Sequence, residues 1–280
     1  MDAKSKVNRA RGGFTLIELL AVIVIIGILA AMISAAAWTA LDTAKSSIYS
    51  MEMSKIRAAL EDYKRVIGEY PPDFTDEAAV TAHIRRAFPN YDGNWQTDLG
   101  GVLGTKDQAS ALVFWLGGMP ASSGSTRLTG FSNNPRNPFE AFDPSNPDAR
   151  IGPFFEFKPE RLGYEGGSCK YFAEEGRNSK FAPYVYFRAR RIKGAEYDGL
   201  SWTGARAEWG ATMPHKDTRL VGVAGGAGDW IAADSFQIHC PGIDGKHGPG
   251  VMYPDGTDYN EFDLDDQTDF SNGPLKDKMP

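Results

Sequence analysis

The chain has 280 residues, 42% hydrophobic and 24% charged, a composition that excludes wholesale disorder and collagen-like repeats and allows one large domain or two small ones. Its net charge of −6 is uneven: the first 13 residues hold Lys4, Lys6, Arg9 and Arg11 against Asp2, a net +3, so the remainder carries −9. An acidic body argues against nucleic acid as a partner, because phosphate binding needs clustered Lys and Arg.

Residues 19–41 contain no charged side chain, and no later stretch approaches this. That marks one membrane-competent segment on a mostly water-soluble chain, and excludes a polytopic transporter. A basic leader before an apolar run resembles an export signal, but this run exceeds the roughly 7–15 residues of a signal h-region. The small residues Gly12 and Gly13 precede the run instead of following it. Cleavage there would leave the apolar segment on the mature chain, where ~20 residues suffice to cross a hydrocarbon layer of ~30 Å. Glu18 interrupts the run. A carboxylate in hydrocarbon costs at least ~2.5–3.5 kcal/mol, so it needs a partner or a place at the membrane interface. A free Phe14 amine, made by a cut after Gly13, would lie four residues away on the same helix or on a neighbour.

The text from Gly13 reads Gly-Phe-Thr-Leu-Ile-Glu-Leu. Behind a basic leader, it resembles the class III leader and N-terminal helix of type IV pilins and type II secretion pseudopilins. The resemblance implies cleavage of a leader, residues 1–13, by a prepilin peptidase between Gly13 and Phe14, with N-methylation of the new Phe14. It also implies that Glu18 pairs with the amine of an adjacent subunit during filament assembly. In one departure, Ala35 stands where many members carry Pro.

Beyond residue 41, Ile48, Met51, Met53, Ile56, Leu60, Tyr63 and Ile67 recur at steps of about 3 and 4, one face of an amphipathic helix. No Pro occurs between Phe14 and Glu69, and Gly68 followed by Pro71 and Pro72 stops the pattern. One helix is therefore predicted, ~80 Å long at 1.5 Å per residue. Its first half (14–41) is apolar all round; its second half (42–68) has a single stripe that packs on the head domain, 69–280. Tyr63, Lys64, Gly68, Tyr70 and Pro71 are similar to a Tyr-Lys, Gly, Tyr-Pro pattern of the major secretion pseudopilins.

Residues 76–88 suit a helix with Asp76 near its cap, and 110–120 a short apolar helix ended by Gly117 and Gly118. Residues 122–147 are dense in Ser, Asn, Pro and Gly. They read as a flexible surface loop or as a folded lid held by Phe131, Phe139 and Phe142. Residues 152–157, 184–191 and 236–240 read as strands, joined by Gly-rich connections such as VGVAGGAGDW. The fold class is α+β: a long N-terminal helix packed on a small antiparallel sheet with large loops. The pilin fold that the resemblance implies has the same layout.

From position 244 onward nine Asp and Glu face three Lys. Such a run is ordinarily a solvated acidic loop. Gly242, Gly245, Gly248 and Gly250 nevertheless permit tight turns, and Asp263, Asp265 and Asp266 repel one another unless a cation is present. Hard oxygen ligands suit calcium, and the spacing is not that of an EF-hand. The resemblance to major pseudopilins implies a C-terminal calcium loop in which Asp244, Asp265 and Asp266 are the side-chain ligands, ahead of Thr268 and Phe270. Sixteen residues separate Gly248 from Asp265, more than the family loop has, and Asp255, Asp258 or Asp263 could replace an inherited ligand.

The four histidines form no H-E-x-x-H, and no paired C-x-x-C occurs, so no zinc motif is present. Cys169 and Cys240 permit one disulfide, with two buried free thiols as the alternative. GLSWTG, around Ser201, lacks the second Gly of a nucleophile elbow. The resemblance implies a structural subunit, not an enzyme. It would be a single-pass inner-membrane protein with a periplasmic head, self-assembling with other pseudopilins into a helical filament on an inner-membrane platform. The alternative is a minor type IV pilin in adhesion, motility or DNA uptake.

Overall fold

The structure, a computed structural model, describes residues 15–100, 103–147, 149–174, 180–192, 195–220 and 229–280. Helix α1 runs unbroken from Leu16 to Ile67. The chain divides within it into two units, Met1–Ala44 and Lys45–Pro280. In the first unit the apolar side chains face outward, with Leu16 82% and Trp38 70% exposed. This stretch is long and apolar enough to cross a membrane.

In the second unit α1 buries Tyr49, Met53, Ile56, Leu60 and Tyr63, alternating steps of four and three that keep one face inward. The expected stripe needs correction at its start. Ile48 is 51% and Met51 59% exposed, because both sit on the flank of that face, while Tyr49 and Glu52 take the inner positions. At the end of α1, the Gly68 amide donates to Lys64 O at 2.7 Å, and the prolines that follow prevent continuation.

Glu52 is 7% exposed, and its burial is explained by its partners. Arg161 Nη1 lies 2.8 and 2.7 Å from its two oxygens. The hydroxyls of Tyr171 and Tyr184 each donate to it at 2.8 Å. Arg161 Nε also donates to Phe172 O at 2.7 Å. A buried charge is tolerated when it is paired and hydrogen-bonded, and this cluster ties the second half of α1 to the strands behind it.

Helix α2 spans Glu77–Ala87, with the Asp76 side chain accepting from the amides of Ala78 and Ala79. A single turn, α3, covers Trp95–Asp98. Helix α4, Gln108–Gly117, is buried throughout and starts ahead of the predicted Ser110, because Asp107 and Ser110 form a capping box. Residues 122–147 are folded onto the core: the rings of Phe131 and Phe139 pack with Phe88 and Phe114. Phe142 stays outside, beneath the Arg127 guanidinium.

The central sheet has three antiparallel strands: Phe236–Cys240 lies between Val185–Arg188 and Gln267–Thr268, with Phe236 opposite Arg188 and His239 opposite Thr268. Four smaller sheets surround it among the described residues. The strand expected over 152–157 is absent. Pro153 has no N–H, and the amides of Phe154 and Phe155 donate to Leu116 O at the end of α4 instead of to a neighbouring strand. A hairpin not anticipated from sequence pairs Leu162–Glu165 with Ser168–Tyr171. Its two-residue turn, Gly166 and Gly167, has φ of 61° and 81°, the left-handed pair that suits the twist of a tight hairpin. Of VGVAGGAGDW, residues 221–228 lie outside the described residues, while Asp229 and Trp230 form a short strand. The architecture is α+β, as the sequence implied.

Two contacts place the C-terminal segment against α1. Gln267 Nε2 donates to Ser46 Oγ at 2.9 Å, while its Oε1 accepts from Ser50 Oγ at 2.8 Å. Arg57 Nη1 lies 2.6 Å from Asp269 Oδ2.

Candidate functional site

Two regions carry the candidate residues. At the N-terminal one, Gly13 and Phe14 lie outside the described residues. Glu18 is in the first turn of α1. Its Oε2 accepts from the Thr15 amide at 2.8 Å and from Thr15 Oγ at 2.7 Å, and the Glu18 amide donates to Thr15 Oγ at 3.3 Å. This is a reciprocal capping box, which satisfies two of the helix's orphan donors and holds the carboxylate. The T-x-x-E spacing was visible in the sequence, and Thr15 is the residue that reading missed.

At the C-terminal region the loop between the Phe236–Cys240 and Gln267–Thr268 strands is pinned by aspartates accepting backbone amides. Asp258 takes Val251 N on one oxygen and Met252 N on the other, at 2.8 and 3.0 Å. Asp263 takes Gly250 N and Asn260 N, both at 2.7 Å. Asp255 accepts from Thr257 N at 3.2 Å. Asp258 and Asp263 thus use both oxygens to fold the inserted stretch.

Asp244, Asp265 and Asp266 differ. Asp265 accepts Ile243 N and Asp244 N through Oδ2 alone, at 2.6 and 2.8 Å. Asp244 accepts Lys246 N through Oδ1. Asp266, 5% exposed, accepts Gly248 N through Oδ2, and its buried Oδ1 has no partner. Among the described residues, each of the three keeps one oxygen free of protein hydrogen bonds. Gly242, at φ 62°, permits the close approach, since a Cβ there would collide with the backbone and side chain of Asp265. Partial burial, then the Asp265 carboxylate, push the Asp244 carboxyl up to about 6. Burial, then Asp263, Asp265 and Asp244, push Asp266 well above the usual carboxylate range. As they stand, no three His, Cys, Asp or Glu side chains among the described residues share one ligating point. Neighbouring carboxylates raise one another's proton affinity, and a buried carboxylate oxygen without a donor is satisfied by a proton or an ion.

Residues 8–34 match the prokaryotic N-terminal methylation motif. Type II secretion system core protein G of Pseudomonas aeruginosa is 34% identical over 92 residues, 32% of this chain. Both findings support the type IV pilin and pseudopilin family. The match spans 63% of that relative's length. No solved structure matches this chain. Both matches are to structural pilin-type proteins, and the long apolar α1 with small antiparallel sheets fits an α+β pilin fold.

Against that family frame, the disulfide that the sequence permitted is not formed: Cys169 and Cys240 are both free. They sit on strands of different sheets, Ser168–Tyr171 and Phe236–Cys240. Burial raises both thiols to about 12, so neither is a reactive thiolate at neutral pH. Ser201 is exposed, and its backbone carbonyl accepts from Gln108 Nε2 at 2.8 Å. Sequence reasoning also passed over His247, which is buried beside Asp266, its Nδ1 3.9 Å from Asp266 Oδ2.

Proposed function

We propose that this chain is a structural subunit of a type II secretion pseudopilus. A prepilin peptidase removes residues 1–13, the apolar half of α1 holds the subunit in the inner membrane, and the head stands in the periplasm. The subunit then joins a helical filament with other pseudopilins on a membrane platform. The observation that supports this most is the Gly13 to Leu19 motif within the matched residues 8–34, in front of a helix of 52 residues. Similarity to a secretion core protein favours the secretion filament over a pilus. In this reading Glu18, held by Thr15 in the single chain, exchanges its partner for the amine of a neighbouring Phe14.

The C-terminal loop is proposed to hold a divalent cation, with calcium the ion expected for oxygen ligands. Asp244, Asp265 and Asp266 would supply the side chains. The cation would neutralise their mutual repulsion and fix the loop that leads into Gln267 and Asp269, which bond to Ser46, Ser50 and Arg57 on α1.

Mass spectrometry of the membrane-extracted protein tests the processing step. The mature chain should begin at Phe14 with a methylated amine, and Gly13→Val should leave the leader attached. Retention of residues 1–13 in the wild type would overturn the reading.

A further inference from the structure

The head is acidic, yet residues 188–193 read Arg-Ala-Arg-Arg-Ile-Lys. This run borders two adjoining cavities of about 430 and 320 Å³, which share Glu69, Tyr70 and residues 188–192 between the end of α1, the start of α2 and the central sheet. Pro72, Ala79, Ala82 and Ile192 give the smaller one an apolar lining. Arg86 and Arg191 share the carboxylate of Glu69. Asp73 and Asp76, on the same wall, accept backbone amides. Lys64, Arg188 and Arg190 have no carboxylate partner among the described residues. Lys64 Nζ lies 4.3 Å from the Tyr70 ring centre. Arg188 Nη1 donates to the carbonyls of Ala189 and Ser235, and Arg190 Nη1 to Asp198 O at 3.0 Å. The groove is therefore apolar within and cationic at its rim.

The matching surface is the C-terminal loop. Between Lys246 and Lys276 stand seven Asp and Glu and no Lys or Arg. Glu261 is exposed and pairs with no cation among the described residues, and Leu264 beside it is 36% exposed. Loop and groove cannot meet within one molecule. Strands 185–188 and 236–240 are antiparallel, with Val185 opposite His239 and Arg188 opposite Phe236. The loop leaves this sheet at Cys240, while the groove begins at Arg188, at its other end. Along α1, Gln267 at the loop's close bonds to Ser46 and Ser50. Lys64 of the groove is 18 residues beyond Ser46 on the same unbroken helix, about 27 Å at 1.5 Å per residue.

Resting on the reading that copies of this chain assemble with one another, we propose that the groove is the docking site for the acidic loop of a second copy. Leu264 of that copy enters the apolar lining, and its Glu261 faces Arg188 and Arg190. Opposite charges steer such an encounter and fix its register. The two patches differ and lie at opposite ends of the head, so the contact is head-to-tail. Each joined pair keeps a free groove at one end and a free loop at the other, and further copies can add. Glu261 and Leu264 stand outside the residues proposed to hold the cation, so docking and cation binding are separable.

The test is disulfide crosslinking of the full-length chain in the membranes of the producing cells, with the parent chain and its own two thiols as the blank. Ile192→Cys and Leu264→Cys in one chain should give, on mild oxidation, a ladder of trimers and longer species, and either substitution alone should give none. In that background Arg190→Glu or Glu261→Arg should cut the ladder at least tenfold, and the two together should restore it to within threefold. Should a reversed charge prevent folding, salt decides: at 1 M, where charges are screened beyond about 3 Å, the ladder should fall at least fivefold from its low-salt level. A ladder indifferent to charge reversal or to salt, or dimers alone, overturns the proposal. Filaments by electron microscopy without a ladder overturn the docking and keep the assembly reading. Neither ladder nor filaments overturns both.

Discussion

Replacing Glu52 by Ala removes the acceptor on which Arg161, Tyr171 and Tyr184 converge. Arg161 is itself 7% exposed and would keep only its Phe172 carbonyl and a long contact to Tyr184, 3.5 Å, among its hydrogen bonds. Breaking a buried pair by deleting one partner costs about 3–5 kcal/mol, because the remaining charge is buried without compensation. For a unit of this size, each kcal/mol lowers the melting temperature by about 2–4 °C, so the expected drop is about 6–20 °C. The control is Asp62→Ala. Asp62 pairs with Arg65 across an exposed turn, with side chains 61% and 74% accessible, and such a pair contributes about 0–1 kcal/mol. Removing both charges, Glu52→Leu with Arg161→Leu, should recover much of the loss, because no unpaired charge is left buried. Melting of the full-length chain in detergent, followed by near-ultraviolet dichroism, measures all four proteins. A Glu52→Ala shift no larger than that of Asp62→Ala would refute the claim that this pair ties α1 to the strands.

Glu18→Ala should leave membrane insertion intact, since a costly carboxylate is removed, yet abolish filaments; normal filaments by electron microscopy would exclude Glu18 from assembly. His215 is fully enclosed by the rings of His239, Tyr259 and Phe270, and neither of its nitrogens has a partner. Burial lowers its pKa from 6.5 to about 4. The unfolded chain therefore binds the proton first, so the stability tied to this group is complete above pH 6.5 and falls as pH drops toward 4, by about 2 kcal/mol at pH 5. His215→Phe should be as stable as wild type at pH 7.5 and lose about 2 kcal/mol less on going to pH 5, read from urea melts at both pH values. Chelation of divalent cations should lower the melting temperature, reversing a stabilisation of about 2.7 kcal/mol at a hundredfold excess of ion over Kd, and Asp265→Ala should remove most of that response.

What could be read from the sequence was local. The apolar run, the steps of three and four along α1, its end at Gly68, and the Asp76 cap of α2 each depend on residues within a turn or two of one another. The leader and the Gly13 to Leu19 motif are likewise contiguous, so the resemblance to the family was legible there. Asp244, Asp265 and Asp266 of the loop stood out in the sequence only as what the resemblance implies. The inserted residues obscured which carboxylates would stay free, because Asp258 and Asp263 could be told from Asp244, Asp265 and Asp266 only by the amides they accept.

The tertiary structure alone decided the rest. Arg161 and Glu52 are 109 residues apart in sequence, and His247 and Pro183 are 64 apart. No local pattern announces that a charge on one face of α1 will meet an arginine behind a hairpin, or that an imidazole will anchor one nitrogen and leave the other facing a carboxylate. The same holds for residues 152–157, whose aromatic run reads as strand but whose amides go to the end of α4. Periodicity, caps and a cleavage motif are encoded in neighbouring side chains. Partnering of buried polar groups is not, because each group must find its partner wherever the folded chain brings one.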